Sequence, residues 1–309
     1  MKVFGVVWMG LGYLSPLCAD VLPLPSPENH VVGEMQIIHA KASDTLLDLA
    51  RNFDVGYEEI IAANPDVDPW VPKEGAPVKI PSRHILPNAP RKGIVINLAE
   101  MRLYYYPRQK LNNKKMVVTH PISVGRKGWT TPLGPTKITA KQTDPPWYPP
   151  ESIRKEKLAD GIKLPSVVPA GPDNPLGRFA LRLGHPLYLI HGTNRPYSIG
   201  MRVSHGCLRM YPEDIASLYK QVPVGTPVMV VNQPVKIGYQ DGMMYAEAHF
   251  PLTHEPINSQ DMDLTFVVKA VVASTTTRLS DQEWNRLFEI ARQHSGTPTA
   301  VSKLEKHYQ

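Results

Sequence analysis

Proline constrains this chain more than any other residue. Thirty-two of its 309 residues are proline, about twice the average share, and they are spread through the whole sequence. Because proline fixes φ and lacks an amide hydrogen, this distribution predicts many rigid loops between short elements. Apolar residues make up 42% of the chain, which is enough for a packed core. The length predicts two or three domains.

The first 19 residues have the pattern of a secretory signal peptide. Lys2 precedes the apolar stretch 3–17, and the small residues Cys18 and Ala19 stand before Asp20. The apolar stretch is shorter than the ~20 residues that a membrane span needs. We therefore predict export, cleavage after Ala19 and no membrane span in the mature chain. A lipoprotein signal that uses Cys18 is the alternative.

Cleavage would leave Cys207 as the single cysteine, because the chain has only two. An exported protein meets an oxidising compartment, where most cysteines are paired. A cysteine without an intramolecular partner is either a buried, inert thiol or a reactive one. The residues around Cys207 must decide between these two interpretations.

Residues 34–81 are predicted to form a small β-α-α-β unit. A strand at 36–39 precedes a helix that Asp44 could cap, a second short helix follows at 57–63, and a strand at 78–80 closes the unit. The next residues, 82–92, contain Pro87 and Pro90 and are predicted to be a linker.

The central segment 93–231 is rich in predicted strands and carries one clear helix. The helix covers 212–221, with proline at its first position and acidic residues in its first turn. The three tyrosines 104–106 are predicted to lie in a half-buried strand. The predicted strands are 94–98, 102–106, 116–123, 136–140, 187–190 and 228–231.

The last segment, 232–309, is predicted to be a small α+β subdomain. Asp241-Gly242 is a strong two-residue turn between strands at 236–240 and 243–250. Ser280 and Glu283 form a capping box that begins a helix to His294. The apolar stretch 264–273 fits a helix or a strand. Altogether the sequence predicts an α+β chain whose central domain is mostly β.

The neighbourhood of Cys207 favours the reactive interpretation. His205 lies two residues before it, Arg209 lies two after it, and a helix begins near Pro212. His191 ends an earlier predicted strand. An imidazole, a cation and a helix N-terminus each lower the pKa of a thiol. We therefore predict an activated Cys207 thiolate.

Two glycines in the same segment permit tight turns and close backbone approach. These are Gly192 and Gly206, and the amides around Gly206-Cys207 could form an oxyanion hole. A zinc site made of His185, His191, His205 and Cys207 is the alternative. The spacing of His205 and Cys207 is shorter than the usual gap between zinc ligands. We therefore predict no metal and no cofactor.

The string 204–210, Ser-His-Gly-Cys-Leu-Arg-Met, with His191-Gly-Thr193 before it, closely resembles the YkuD-type L,D-transpeptidases. The stretches 122–125, 131–138 and 175–182 agree with it. Residues 34–81 resemble a LysM module. Their motifs are Asp44-Thr45-Leu46, Asn64-Pro65 and Ile80-Pro81. The combination resembles the periplasmic proteobacterial branch of the family, and it implies a YkuD-type β-sandwich over 93–231.

The resemblance implies a role for each site residue. Cys207 would be the nucleophile, His191 the general base, and Gly192 would orient His191 through its carbonyl. Gly206 would belong to the catalytic loop, and His205 would support the oxyanion or the substrate. Ser204 and Arg209 would bind the substrate. Many members have asparagine where Arg209 stands, which bears on how a substrate carboxylate is held.

The resemblance also implies the reaction and the partners. The donor would be a peptidoglycan tetrapeptide stem, and the acceptor would be a second stem or the terminal lysine of an outer-membrane lipoprotein. LysM modules bind peptidoglycan glycan. A hydrolase that uses the same cysteine, and a wall-binding protein with an idle catalytic domain, are the alternatives. Nucleic acid is not an expected partner, because the net charge of +6 is scattered.

Overall fold

The computed structural model describes residues 20–252 and 264–303. The predicted signal peptide, with Cys18, lies outside these residues, and so does part of the predicted C-terminal subdomain. Within the described ranges, no helix is both long enough and apolar enough to cross a membrane.

Short strands dominate the described chain, as the prolines predict. The α-helices are α1 Leu46–Asn52, α2 Tyr57–Ala63, α3 Glu151–Ala159, α4 Pro212–Gln221, α5 Thr265–Ser274 and α6 Asp281–Gln293. The strands are β1 Asp20–Pro23, β2 Val31–Gly33, β3 Gln36–His39, β4 Pro77–Ile80, β5 Arg83–Ile85, β6 Gly93–Asn97, β7 Arg102–Tyr106, β8 Met116–Pro121, β9 Val124–Gly125, β10 Gly134–Thr143, β11 Phe179–Leu183, β12 Leu189–His191, β13 Arg202–Ser204, β14 Leu208–Arg209, β15 Pro227–Val231, β16 Val235–Gln240, β17 Met243–Ala248 and β18 Thr299–Lys303. The chain is α+β and mostly β, which confirms the predicted fold class.

Strand β10 connects the two halves of the central sheet, whose order is β1-β8-β7-β6-β15-β10-β11-β12-β14. Its first residues pair with β15, and the register shifts between Ile138 and Ala140, where the pairing with β11 begins. One apolar core contains residues from both halves, including Ile94 on β6 and Leu181 on β11. The two halves therefore face each other across this core.

The strands β6 and β7 are buried on both faces, so the prediction of half-buried tyrosines at 104–106 is wrong. Tyr105 lies in the main core, whereas Tyr104 and Tyr106 lie in a second cluster on the opposite face. Val32 of β2 and Leu86 complete that second cluster. The residues before the first predicted unit and those of the predicted linker thus cover the outer face of the sheet.

The N-terminal unit has the predicted order of two strands around two helices. β3 pairs with β4, and α1 and α2 pack over them around a separate small core. The cap of α1 differs from the prediction, because Thr45 accepts a hydrogen bond from the Asp48 amide. Asp44 instead accepts one from the Lys41 amide. Asp44 thus closes the turn that precedes the helix.

The C-terminal segment forms a three-stranded sheet, β16-β17-β18, packed against α5 and α6. The capping box of Ser280 and Glu283 is present at the start of α6. The apolar stretch that fitted either a helix or a strand forms α5. Its Val267 and Val271, four residues apart, are both buried against the sheet.

Candidate active site

Strand alternation places the predicted catalytic residues on one face. β12 and β14 are parallel, with Ile190 beside Leu208 and His191 beside Arg209. Ile190 and Leu208 are fully buried in the main core. Because successive side chains point to opposite faces, His191 and Arg209 face away from this core. Cys207, two residues before Arg209, faces the same way, and all three line one cleft.

The neighbouring strands extend the same face of the cleft. Ala180 and Arg182 of β11 lie opposite His191 and Leu189 of β12 and line the cleft. Leu181, between Ala180 and Arg182 on β11, points into the main core instead. The cleft has a volume of about 340 Å³.

The excursion 144–178 between β10 and β11 covers this cleft. Its ends meet where the Asp144 amide donates a hydrogen bond to the Arg178 carbonyl at 2.7 Å. Trp147 and Tyr148 line the cleft, together with residues of α3. The fully buried Asn174 side chain donates to the Pro145 carbonyl at 2.8 Å and keeps the proline-rich loop in place.

His191 is held in one tautomer by its neighbour. Its Nδ1 lies 2.6 Å from the carbonyl oxygen of Gly192, which only accepts hydrogen bonds. Nδ1 therefore carries the proton, and the lone pair lies on Nε2. Burial, with a smaller contribution from the charge of Arg209, lowers the pKa of His191 to about 4. At neutral pH this imidazole is uncharged and can accept a proton.

The prediction that the thiol of Cys207 has a lowered pKa is wrong. The Sγ–H donates to the Leu187 carbonyl at 3.5 Å. Burial raises the pKa of the Cys207 thiol, and the Leu189 amide and the Arg209 charge offset only part of this effect. The resting site therefore holds a protonated thiol beside a neutral imidazole. For the sulfur to attack, the imidazole must take the thiol proton as a general base.

The helix that was expected to activate the thiol lies elsewhere. Its first turn contacts the N-terminal unit, where Glu213 Oε1 lies 2.8 Å from Arg51 Nε. Across the described residues, none from α4 lines the cleft. The short segment Met210–Tyr211 carries the chain away from Cys207, so that the positive end of the helix faces the N-terminal unit.

Alkylation of Cys207 is expected to depend steeply on pH. Because iodoacetamide reacts with the thiolate, and the thiol is protonated at neutral pH, the rate should rise about tenfold per unit between pH 6 and 8. Intact-protein mass spectrometry of the chain from Asp20 onward measures it, with Cys207→Ala as the unlabelled control. A rate that stays level over this range would indicate a preformed thiolate–imidazolium pair instead.

Ser204 ties together the loop that carries the thiol. Its hydroxyl donates to the Cys207 carbonyl at 2.5 Å and accepts from the Gly206 amide at 3.1 Å. Ser204 is 1% exposed and its hydroxyl serves the loop, while the residue also lines the cleft. The Gly206 amide is occupied by this hydrogen bond. Gly206 has a φ of +95°, which favours glycine.

Replacing Ser204 by alanine is expected to slow acylation of Cys207 about 10–100-fold, because the loop loses the bond that positions the nucleophile. The free energy of unfolding should fall by about 1–3 kcal/mol, since two backbone groups lose their partner. Acylation kinetics and urea unfolding measure the two effects. Ser43→Ala, which removes the hydroxyl of an exposed residue in the N-terminal unit, is the matched control and should leave both unchanged.

His205 belongs to a charged group that the sequence did not predict. Its Nε2 lies 3.2 Å from Glu156 Oε2 of α3 and 3.0 Å from Arg126 Nη2, and Glu156 also pairs with Arg126. The Trp129 ring packs edge-on against His205, with 4.9 Å between the ring centroids. His205 therefore links the thiol loop to the covering excursion. No sequence motif pointed to Glu156, because it lies 49 residues from His205 along the chain.

Comparison with known proteins identifies the family of the chain. The model of the YkuD family, the L,D-transpeptidase catalytic domain, matches residues 91–230 of this chain. The probable L,D-transpeptidase YbiS of Escherichia coli is 38% identical over 304 residues, which cover 97% of this chain and 98% of that protein. This chain belongs to the L,D-transpeptidase family. The probable L,D-transpeptidase YcfS of Escherichia coli is 44% identical over an alignment that covers 78% of this chain and 76% of that protein.

Among solved structures, that of L,D-transpeptidase 3 from Mycobacterium tuberculosis aligns over 70% of this chain and 99% of the other chain. The TM-score is 0.32 and the sequence identity is 17%.

In this L,D-transpeptidase the residues considered as zinc ligands do not form a cluster. His191 Nδ1 is used by Gly192, and His205 Nε2 faces Glu156 and Arg126. The His185 ring packs against Tyr188, which itself lines the cleft. Throughout the part of the chain that the structure describes, groups of three metal-ligating atoms occur only away from Cys207.

Proposed function

We propose that this L,D-transpeptidase forms a thioester between Cys207 and a peptidoglycan tetrapeptide stem and passes the acyl group to an amine. The observation that carries the proposal is the cleft that His191, at the end of β12, shares with Cys207, which directly precedes the parallel strand β14. The tautomer imposed on His191 by Gly192 supports its role as the base. Membership of the family supports the reaction class.

The first half-reaction moves one proton and exchanges one bond. Nε2 of His191 takes the thiol proton as Sγ attacks the carbonyl carbon of the third stem residue, diaminopimelate. The bond from this carbon to the nitrogen of D-alanine then breaks, and the leaving amine receives the proton from His191. The product is a thioester with free D-alanine.

The second half-reaction reverses these roles with a different amine. The acceptor amine attacks the thioester carbon and gives a proton to His191, and the carbon–sulfur bond breaks. The proton then returns to the thiolate. The acceptor is the diaminopimelate of a second stem or the terminal lysine of an outer-membrane lipoprotein. Water in its place would make the enzyme a carboxypeptidase.

Cationic side chains in the cleft fit an anionic peptide stem. Arg209 and Arg182 both line the cleft near Cys207. Arg209 is half-buried and also lowers the pKa of His191. We assign to Arg209 the binding of a carboxylate of the donor stem. Many family members have asparagine at this position. A guanidinium can hold a carboxylate through two parallel hydrogen bonds.

The N-terminal unit, residues 34–81, would act as a LysM module and hold the enzyme on glycan. It packs directly on the catalytic domain, since Arg102 of β7 bonds to Glu59 of α2 at 2.8 Å. A rigidly attached module would keep the cleft at a fixed distance from the strand it binds. The signal peptide 1–19 would direct the protein to the periplasm, where the substrate lies.

The test uses the mature chain and a diaminopimelate-containing tetrapeptide muropeptide, with and without an amine acceptor. Intact-protein mass spectrometry should show an acyl adduct on Cys207 with release of D-alanine, and Cys207→Ala should show neither. A cross-linked product identifies transfer, and a tripeptide alone identifies hydrolysis. Absence of adduct and product with both amine acceptors would leave a wall-binding protein with an idle catalytic domain.

A further inference from the structure

A buried cluster of three ligand-type side chains lies between the N-terminal unit and the catalytic domain. Asp54 follows α1, His120 lies on β8, and Asp214 lies in the first turn of α4. They are 3%, 0% and 4% exposed. None of the three lines the catalytic cleft. Three distant parts of the chain therefore converge on one enclosed point.

Hydrogen bonding does not account for the geometry of this cluster. His120 Nδ1 lies 3.3 Å from Asp54 Oδ2 and 3.4 Å from Asp214 Oδ1, whereas an ordinary N–H···O bond is about 2.9 Å. One Nδ1–H can point at only one of the two oxygens. Among the residues described, none hydrogen-bonds to either oxygen of Asp54 or either nitrogen of His120.

The two separations from His120 Nδ1 suit a shared cation, and the ligand atoms of the three residues all lie within 4.8 Å of one another. Ligand atoms about 2.0–2.1 Å from a tetrahedral ion lie about 3.3 Å from one another, which is the spacing seen around His120 Nδ1. The second oxygen of Asp54 is available as a further ligand. The two carboxylates balance a divalent charge, and the ion would take the place of the His120 proton, which Asp214 and Asp54 retain against burial by raising the pKa of His120 to about 10. A nitrogen and oxygen donor set without thiolate suits zinc and similar divalent ions.

A second buried cluster is neutralised by a lysine. His84, Glu100 and Glu247 also converge, but Lys236 Nζ lies 2.8 Å from Glu100 Oε1 and 2.7 Å from Glu247 Oε1. The chain supplies that cation itself. At the first cluster the nearby Arg102 bonds to the Asp54 backbone carbonyl and to Glu59, so its guanidinium does not occupy the space between the carboxylates.

We propose that Asp54, His120 and Asp214 bind one divalent cation of the zinc class, which fastens the N-terminal unit to β8 and α4 of the catalytic domain. The ion takes no part in acyl transfer, because its ligands lie outside the cleft. The test of this site is therefore independent of the test of the proposed function.

The test uses the full mature chain carrying Cys207→Ala, so that the thiol cannot bind metal. After dialysis against Zn²⁺ and removal of free ion, elemental analysis should find about one zinc per chain. Zn²⁺ at about 100 times its dissociation constant should raise Tm by about 5–10 °C over the chelator-treated protein. Anomalous diffraction at the zinc edge should place the ion among the three side chains.

Two substitutions in the same background separate this site from adventitious binding. Asp214→Asn keeps the side-chain shape and should reduce the zinc content at least tenfold. Glu247→Gln alters the buried cluster that holds Lys236 and should keep one zinc per chain. If Asp214→Asn does not fold, the diffraction result decides. No bound zinc with no change in Tm, or an anomalous peak elsewhere, would overturn the proposal and leave His120 as a buried cation between two carboxylates.

Discussion

Replacing His191 by alanine is expected to slow acylation of Cys207 by about 10²–10⁴-fold, the usual contribution of a positioned general base. The effect is large because burial raises the pKa of the Cys207 thiol, so the attacking sulfur must lose its proton during the reaction. Among the described residues, His205 is the other imidazole that lines the cleft, and its Nε2 faces Glu156 and Arg126. The rate of adduct formation, followed by intact-protein mass spectrometry, measures the loss.

The pH profile gives this prediction a second readout. Because the pKa of His191 is lowered to about 4, acylation by the unaltered enzyme should be level from about pH 5.5 upward and should fall below pH 4. His191→Ala should lose this acid limb. His39→Ala, an exposed histidine of the N-terminal unit, is the control and should behave as the parent. Acylation by His191→Ala at the parental rate would remove His191 from the mechanism.

Replacing Arg102 by methionine is expected to lower the free energy of unfolding by about 3–5 kcal/mol, or Tm by about 6–20 °C. Arg102 is fully buried on β7. Its guanidinium donates to Glu59 Oε2 at 2.8 Å, to the Asp54 carbonyl at 3.1 Å and to the Thr119 hydroxyl at 3.1 Å. Methionine fills similar space but leaves the Glu59 carboxylate buried without its cation. Urea unfolding measures the loss.

The loss should be larger at pH 8 than at pH 5. Burial raises the pKa of Glu59 even in the presence of Arg102, and removal of the guanidinium raises it further. A carboxyl whose pKa is raised by folding opposes folding increasingly as pH rises through the range in which it ionises. At pH 5 Glu59 is more fully protonated, and the penalty is reduced.

A second arginine offers a matched control for Arg102. Arg51 also joins the N-terminal unit to the catalytic domain, through Glu213 at 2.8 Å and 3.1 Å, but this pair is partly exposed. Arg51→Met should therefore cost less than about 1 kcal/mol. Equal losses from the two substitutions would show that Arg102 contributes only packing.

Local sequence signals identified most elements of the chain. Proline at the first position and acids in the first turn located α4 at its observed bounds, and Ser280 with Glu283 located the start of α6. The cap of α1 was misassigned by one residue, because Asp44 and Thr45 are both good capping residues and only the backbone path distinguishes them. The cysteine motif predicted which residues meet in the cleft. It could do so because the alternation of side chains along β12 and β14 places His191 and Arg209 on the same face as Cys207.

What the sequence by itself determined were the features set by neighbours along the chain: short strands between prolines, helix ends, and the face on which His191, Cys207 and Arg209 lie. Only the tertiary structure decided what surrounds them. It covers the tyrosine strand β7 with residues 20–33 and 82–92, brings Glu156 to His205 across 49 positions, and directs the start of α4 away from the thiol. It also determines the direction of the pKa shift of Cys207, because burial depends on every segment that packs over the sulfur and no motif of seven residues records those segments.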